Sequence, residues 1–289
     1  MAKQRGLVLL ELLAVLGMIG VVAAVLWPVL IQAMALVERA TCANNLRHLG
    51  TVFKMYAAEN SGAWPVRNVP YHDSYNPRRT CWSSFDGVFL YPDYLEDIHA
   101  TLCPSDTEDF DGIEEWLTAP VACGWQTAED SPVRGRNTYP QFADFSYVYW
   151  GYVIGPAWIT GQENVDALGE FMDLGVHAAN RWGDLTLILP ETQEQVTLHR
   201  YQEGVERWLF RGSPGSVPAN AAAQIPVMWD TIRAEGLQPV EDECNHLPLA
   251  ANVLFLDGHA AWAQYPRPEH SPFWMLSPLA QACSSYWFP

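Results

Sequence analysis

Positive charge is what this chain most lacks. Its 16 lysines and arginines stand against 33 aspartates and glutamates, a formal net charge of −17 at pH 7. So acidic a polymer repels phosphate backbones, which argues against any nucleic-acid partner unless the few cations gather into one patch. They do not: Arg78-Arg79 and the pair Arg134 and Arg136 are too short to form one. Motifs of common chemistry are missing too, with no Gly-x-Ser-x-Gly elbow, no phosphate loop and no dinucleotide fingerprint. No catalytic residue is assigned, and the chain is read as a non-enzyme. No cysteine pair has the CxxC spacing of a zinc knuckle. Long periodic runs are scarce beyond residue 60, where most of the 21 prolines and 20 glycines interrupt them.

What the chain does have is one long apolar run. From Leu12 to Ile31 there are 20 residues without a charge, which as a helix span about 30 Å, the thickness of a bilayer's hydrocarbon core. A single membrane crossing is expected. Lys3 and Arg5 precede the run, while Glu38 and Arg39 balance each other beyond it, so the positive-inside bias keeps the N-terminus cytoplasmic and exports the rest of the chain. A cleaved secretory signal is the alternative, but its apolar region is shorter and does not continue into a further helical pattern.

Glu11 is out of place near the start of this run. A carboxylate at mid-bilayer costs about 2.5 to 3.5 kcal/mol on insertion scales, less toward the interface, and such groups usually have a partner. Lys3 and Arg5 are one source of a partner. Cleavage after Gly6 is another: it gives Leu7 a free α-amino group and makes Glu11 the fifth residue of the mature chain. Between two staggered subunits the amine of one then meets the carboxylate of the next in low dielectric, where attraction is far stronger than in water.

The stretch Lys3-Gln4-Arg5-Gly6, followed by Leu7-Val8-Leu9-Leu10-Glu11-Leu12-Leu13, resembles the class III leader of type IV pilins and of the pseudopilins of type II secretion systems. Pro28, a residue that bends or loosens a helix, matches a common pilin position. The resemblance implies removal of the leader, residues 1–6, by a membrane-embedded prepilin peptidase, methylation of the new N-terminus at Leu7, and use of Glu11 in registering subunits of a filament. Leu7 stands where such proteins usually have phenylalanine. Thr41-Cys42-Ala43-Asn44-Asn45-Leu46-Arg47-His48-Leu49-Gly50 with Tyr56 resembles the segment after the membrane helix in a large set of prepilin-type proteins ending in His, a spacer and Asp-Gly. Further blocks fit that set: Cys103-Pro104-Ser105-Asp106, Glu203-Gly204-Val205-Glu206-Arg207, Pro226-Val227-Met228-Trp229-Asp230, and His246 with Asn252 to His259. Ten residues separate His246 from Asp257, where nine is the commonest spacing.

The helical pattern continues past the membrane. Ala35, Cys42, Leu46, Leu49, Phe53 and Tyr56 form an apolar stripe at helical spacing. Asn60-Ser61-Gly62 supplies an ending and Trp64-Pro65 prevents continuation. The expected organisation is a membrane part over residues 7–31, an exported half-helix over 32–60, and a globular α+β head over 61–289 with an antiparallel sheet against the helix, the lollipop of pilins generally. Strands are expected at Phe145 to Ile154, Leu185 to Leu189, Trp208 to Phe210 and Val227 to Trp229. Helix is expected near Asn164 to Leu174 and over Gln193 to Glu203. The clearest local signal is a hairpin over residues 252–263, two alternating segments about a two-residue Asp257-Gly258 turn.

Six cysteines, at 42, 81, 103, 123, 244 and 283, suit an exported head, but six allow 15 complete disulfide pairings and the sequence does not choose. His246, Asp257 and His259 have metal-ligand chemistry, though an aspartate is also what the turn wants. The acidic run from Asp106 to Glu115 suggests calcium but fails the EF-hand register, since Thr107 and Thr118 fall at the terminal ligand positions; no cofactor is assigned beyond this calcium candidate. Trp82, Trp116, Trp125, Trp150, Trp158, Trp182, Trp208 and Trp274 serve either as core or as exposed platforms for sugar faces. Taken with the resemblance, the reading is a structural filament subunit of a type II secretion or type IV pilus-like system at the bacterial inner membrane. Its implied partners are itself, the prepilin peptidase, an assembly ATPase, an inner-membrane platform protein and secreted protein cargo. The alternative is a single-pass, membrane-anchored extracellular binding protein, for polysaccharide among other ligands, that never polymerises.

Overall fold

The computed structural model describes residues 2–67, 84–105, 146–153, 167–168, 182–209, 220–235, 238–244, 246 and 250–264, of which residues 2–10, 88, 209, 232–235, 238–244 and 264 are described by their backbone alone. The chain is α+β: a long N-terminal helix, α1 (Ala2–Glu59), is followed by a domain of antiparallel sheets. Two compact units are present, residues 1–40 and 41–289.

The first unit is helix alone. It starts at Ala2, earlier than the expected Leu7, because nothing in Lys3-Gln4-Arg5 breaks a helix and Gly6 alone only weakens it. Pro28 lies inside and the helix continues through it. Every side chain from Glu11 to Val37 is exposed on the isolated chain, and the segment is long and apolar enough to cross a membrane. Ala35, expected to open the buried stripe, is among the exposed residues.

In the second unit, the rest of the stripe is core. Cys42, Leu46, Leu49, Phe53 and Tyr56 are all buried, joined by Val52 and Ala57. The helix ends where Asn60-Ser61-Gly62 predicts. Ser61 and Gly62 have φ of 57° and 83°, and Gly62 N–H donates to Ala57 O at 2.8 Å, the closure that satisfies a last-turn carbonyl. Glu203 then fastens this end: its N–H donates to Gly62 O at 2.8 Å, and its Oε1 accepts from Lys54 Nζ at 3.2 Å and Trp64 Nε1 at 3.1 Å.

The main sheet has the order β1-β5-β8-β9, formed by β1 (Tyr147–Tyr149), β5 (Pro226–Asp230), β8 (Ala250–Phe255) and β9 (Ala260–Gln264), all antiparallel. Between them in sequence, β2 (Tyr152–Val153), β3 (Leu185–Ile188) and β4 (Gln195–Arg200) make a second sheet of order β2-β4-β3, and β6 (Ile232–Glu235) pairs with β7 (Gln238–Cys244). Tyr147, Tyr149, Met228 and Leu254 join the helix stripe in one core, as the two-residue side-chain period of a strand requires. Phe53 sits at the centre, with its ring 5.1 to 5.7 Å from those of Phe85, Tyr149 and Trp64. Gly50 is a place of close approach between helix and sheet: a Cβ there would lie 2.8 Å from Leu254 Cδ1.

The remaining expectations divide. Strands form at Leu185–Ile188 and Pro226–Asp230, while the expected strand Phe145 to Ile154 is split in two by Gly151, whose φ is 76°. Gln193 to Glu203 is not helix but contains β4, because Val196 and Leu198 alternate with polar neighbours and bury on one face. Trp208 belongs to a helical turn, Glu206–Leu209, rather than a strand. The hairpin is present, yet its loop has three residues. Register Leu254↔Ala260 and the Phe255 N–H to His259 O bond leave Leu256-Asp257-Gly258 between the strands, with Gly258 at φ 97°, the three-residue loop with a left-handed glycine. Of the helix expected at Asn164 to Leu174, only Ala167 and Leu168 are described, and they are helical.

Candidate functional site

Two places concentrate unexpected chemistry, one in each unit. In the first, the backbone carries Gly6 and Leu7 as ordinary helical residues. Glu11 lies one turn later, exposed among Leu12, Leu13 and Leu16, which are themselves more than half exposed. Its carboxylate meets no partner among the described side chains; those of Lys3 and Arg5 lie outside the described set.

The second place is a buried polar cluster in the head. Cys42 on α1 and Cys103 form a disulfide, Cα to Cα 5.3 Å, closing 61 residues of sequence separation. Asp230 ends β5 on the helix-facing side, two residues beyond Met228, and is 0 % exposed. Its Oδ2 accepts from Asn252 N–H at 2.6 Å and Asn252 Nδ2 at 2.9 Å, and lies 3.1 Å from His246 Nε2. That same nitrogen is 3.5 Å from Cys103 Sγ. One donor atom from each of Cys42, Cys103, Asp230 and His246 falls within 4.8 Å of the others, and all four residues are buried. Asp230 Oδ1 has no hydrogen-bond partner among the described residues. Trp262 closes one side, edge-on to the imidazole at 5.6 Å. Nearby, Asn45 Nδ2 donates to Leu102 O at 2.9 Å and to Tyr147 Oη at 3.3 Å, so the block from Thr41 to Gly50 fixes the segment on which Cys103 arrives.

Among the described residues this is not the geometry of a nucleophile–histidine–acid triad. Such a triad needs the acid on the far ring nitrogen, whereas here sulfur, carboxylate and amide all face Nε2. The arrangement is convergent, with one ligand atom of each residue within 4.8 Å of the others.

The sequence brought His246 to notice for the wrong company. Asp257 and His259 do not join it: they are exposed and pair with each other, His259 N–H and Nδ1 lying 3.0 and 2.6 Å from Asp257 Oδ1. Burial acts to raise the Asp257 carboxyl, but the His259 backbone and ring bonds, with the charges of His259 and Lys54, hold it below the usual carboxylate range. These are the contacts of a capped turn. Asp230 escaped notice as a site residue, although it ends the block Pro226 to Asp230 that the resemblance singled out. Each of the four donors comes from one such block, and only the topology brings the blocks together.

Of the other candidates, the acidic run from Asp106 to Glu115 lies outside the described residues. Trp150 is fully buried, while Trp182 and Trp208 are 51 % and 46 % exposed; Trp208 stacks on His199 and Arg200 lies over Trp182. Trp82, Trp116, Trp125, Trp158 and Trp274 are outside the described set. Of the six cysteines, Cys42 and Cys103 are bonded to each other; Cys81, Cys123, Cys283 and the Cys244 side chain lie outside the described set. Comparison with family models, curated proteins and solved structures found no match.

Proposed function

We propose that this chain is a pseudopilin-like structural subunit, cleaved after Gly6, methylated at Leu7 and assembled through its N-terminal helix into a filament of a type II secretion or type IV pilus-like system. The observation that carries the reading is Glu11, one helical turn beyond a basic-residue-glycine junction, exposed at the start of an uninterrupted apolar helix. A carboxylate there is unfavourable in lipid without a cation, and cleavage supplies one at the N-terminus of a neighbouring subunit. The same helix, α1, also supplies Cys42, Leu46, Leu49, Phe53 and Tyr56 to the core of the sheet domain. In this reading the N-terminus is cytoplasmic, the head is exported, and the chain works by packing and not by catalysis.

Removal of the leader lowers the basic count from 16 to 14 against 33 acids, so the mature chain repels nucleic acid further. The partners in this reading are its own copies, the peptidase, the assembly ATPase and platform, and secreted cargo. Glu11→Gln tests the reading in cells carrying the peptidase and the assembly machinery. Processing should persist while the polymeric fraction falls more than about tenfold, since an ion pair at 4 Å is worth about 4 kcal/mol even at an effective dielectric of 20. A membrane-tethered binding protein would be indifferent to the substitution.

A further inference from the structure

We propose that the buried cluster of Cys42, Cys103, Asp230 and His246 is a tetrahedral Zn²⁺ site when its two cysteines are reduced, so that disulfide and metal are alternative staples for one position in the head. The inference is independent of the filament reading.

The distances suit the ion. Zinc bonds of about 2.3 Å to sulfur and about 2.0 Å to nitrogen or oxygen place tetrahedral ligand atoms about 3.5 Å apart for sulfur and nitrogen and about 3.3 Å apart for nitrogen and oxygen. Cys103 Sγ and His246 Nε2 are 3.5 Å apart, and His246 Nε2 and Asp230 Oδ2 are 3.1 Å apart. Two of the tetrahedron's edges are therefore already set, and separating the sulfurs to about 3.8 Å completes it.

The donor set suits it as well. Two thiolates, one imidazole and one carboxylate are ligands that zinc accepts at closed, four-coordinate structural sites. His246 presents one nitrogen to both the sulfur and the acid, as a ligand does. Asn252 donates two hydrogen bonds to the Asp230 oxygen that faces the site, the outer support that orients a ligating carboxylate. Asp230 is a fully buried acid with one oxygen unpartnered among the described residues, and a buried carboxylate calls for a strong positive partner.

The chemistry balances. Reduction by a phosphine breaks the S–S bond; phosphine and water become phosphine oxide, and the two sulfurs leave as thiols. Binding of Zn²⁺ then releases two protons to solvent as both thiols become thiolates. Reoxidation by a disulfide-forming oxidant removes two electrons from the thiolates, restores the S–S bond and expels the ion.

The experiment uses the full chain in detergent, with Cys81, Cys123, Cys244 and Cys283 replaced by serine so that other thiols cannot contribute. Reduced with phosphine and titrated with Co²⁺ alone, it should bind one equivalent and develop thiolate-to-metal charge-transfer and tetrahedral d–d bands, which one equivalent of Zn²⁺ abolishes. The oxidised chain should bind neither. His246→Ala should weaken Zn²⁺ binding by about tenfold or more, and Cys103→Ser should remove the charge-transfer band belonging to its sulfur. Should either variant fail to fold, the unsubstituted pair is read directly: Zn²⁺ must slow alkylation of Cys42 and Cys103 in the reduced chain. No binding, an octahedral spectrum without thiolate bands, or alkylation rates unaffected by Zn²⁺ would each overturn the proposal.

Discussion

Single residues in this protein carry charges whose placement is settled within a few ångströms. Asp257 caps its own hairpin loop, and its carboxyl is held below the ordinary value chiefly by the His259 backbone and ring against the opposing effect of burial. A depressed carboxyl stabilises the fold fully above the unfolded-state value near 3.8, and that contribution disappears as pH falls through the lower folded-state value. Asp257→Asn should therefore be less stable than the parent at pH 6 and equal to it at strongly acid pH, as read by denaturant unfolding of the full chain in detergent. A constant difference across that range would show that the turn, and not the charge, carries the effect. Tyr149 and Tyr201 are the opposite kind of residue. Burial raises both hydroxyls far above their ordinary value, and they remain neutral donors to Pro65 O at 2.7 Å and Pro226 O at 2.9 Å.

At the scale of elements, α1 and β8 pack closely at Gly50 and Leu254. Gly50 has no side chain because Leu254 occupies the space, and forcing atoms into a packed core costs about 1 to 3 kcal/mol. Gly50→Val should lower the unfolding free energy of the head by about that amount, and a denaturant midpoint unchanged from the parent would mean that helix and strand are free to move apart. Much at this scale was legible in the sequence. The stripe from Cys42 to Tyr56 and the stop at Asn60-Ser61-Gly62 could be read because helical spacing and a left-handed ending are local signals. Gln193 to Glu203 was misread because its polar residues favour helix, and only the alternation of Val196 and Leu198 spoke for a strand. The loop of the hairpin gained a residue because Leu256, apolar and buried at 2 % exposure, reads as strand while lying in the turn.

At the scale of the whole molecule, an apolar helix segment with one misplaced acid leads into a head pinned by a disulfide that closes a 61-residue separation. The cluster behind that disulfide could not be read from the sequence. Cys42, Cys103 and Asp230 are each separated by dozens of residues, with no spacing motif to link them, and only the fold places the end of β5 beside the segment of α1 that carries Cys42. His246 was visible as a histidine, but its partners were not. Glu11, by contrast, was legible at once, since a charge within an apolar run needs no tertiary contact to be conspicuous.

The filament reading depends on an amine that proteolysis must create, and the mass of the N-terminal peptide of the protein isolated from its membrane tests that most directly. A peptide beginning at N-methylated Leu7 is the predicted result. A peptide that retains Met1 would contradict it, whereas one that begins at unmethylated Leu7 would contradict the methylation alone.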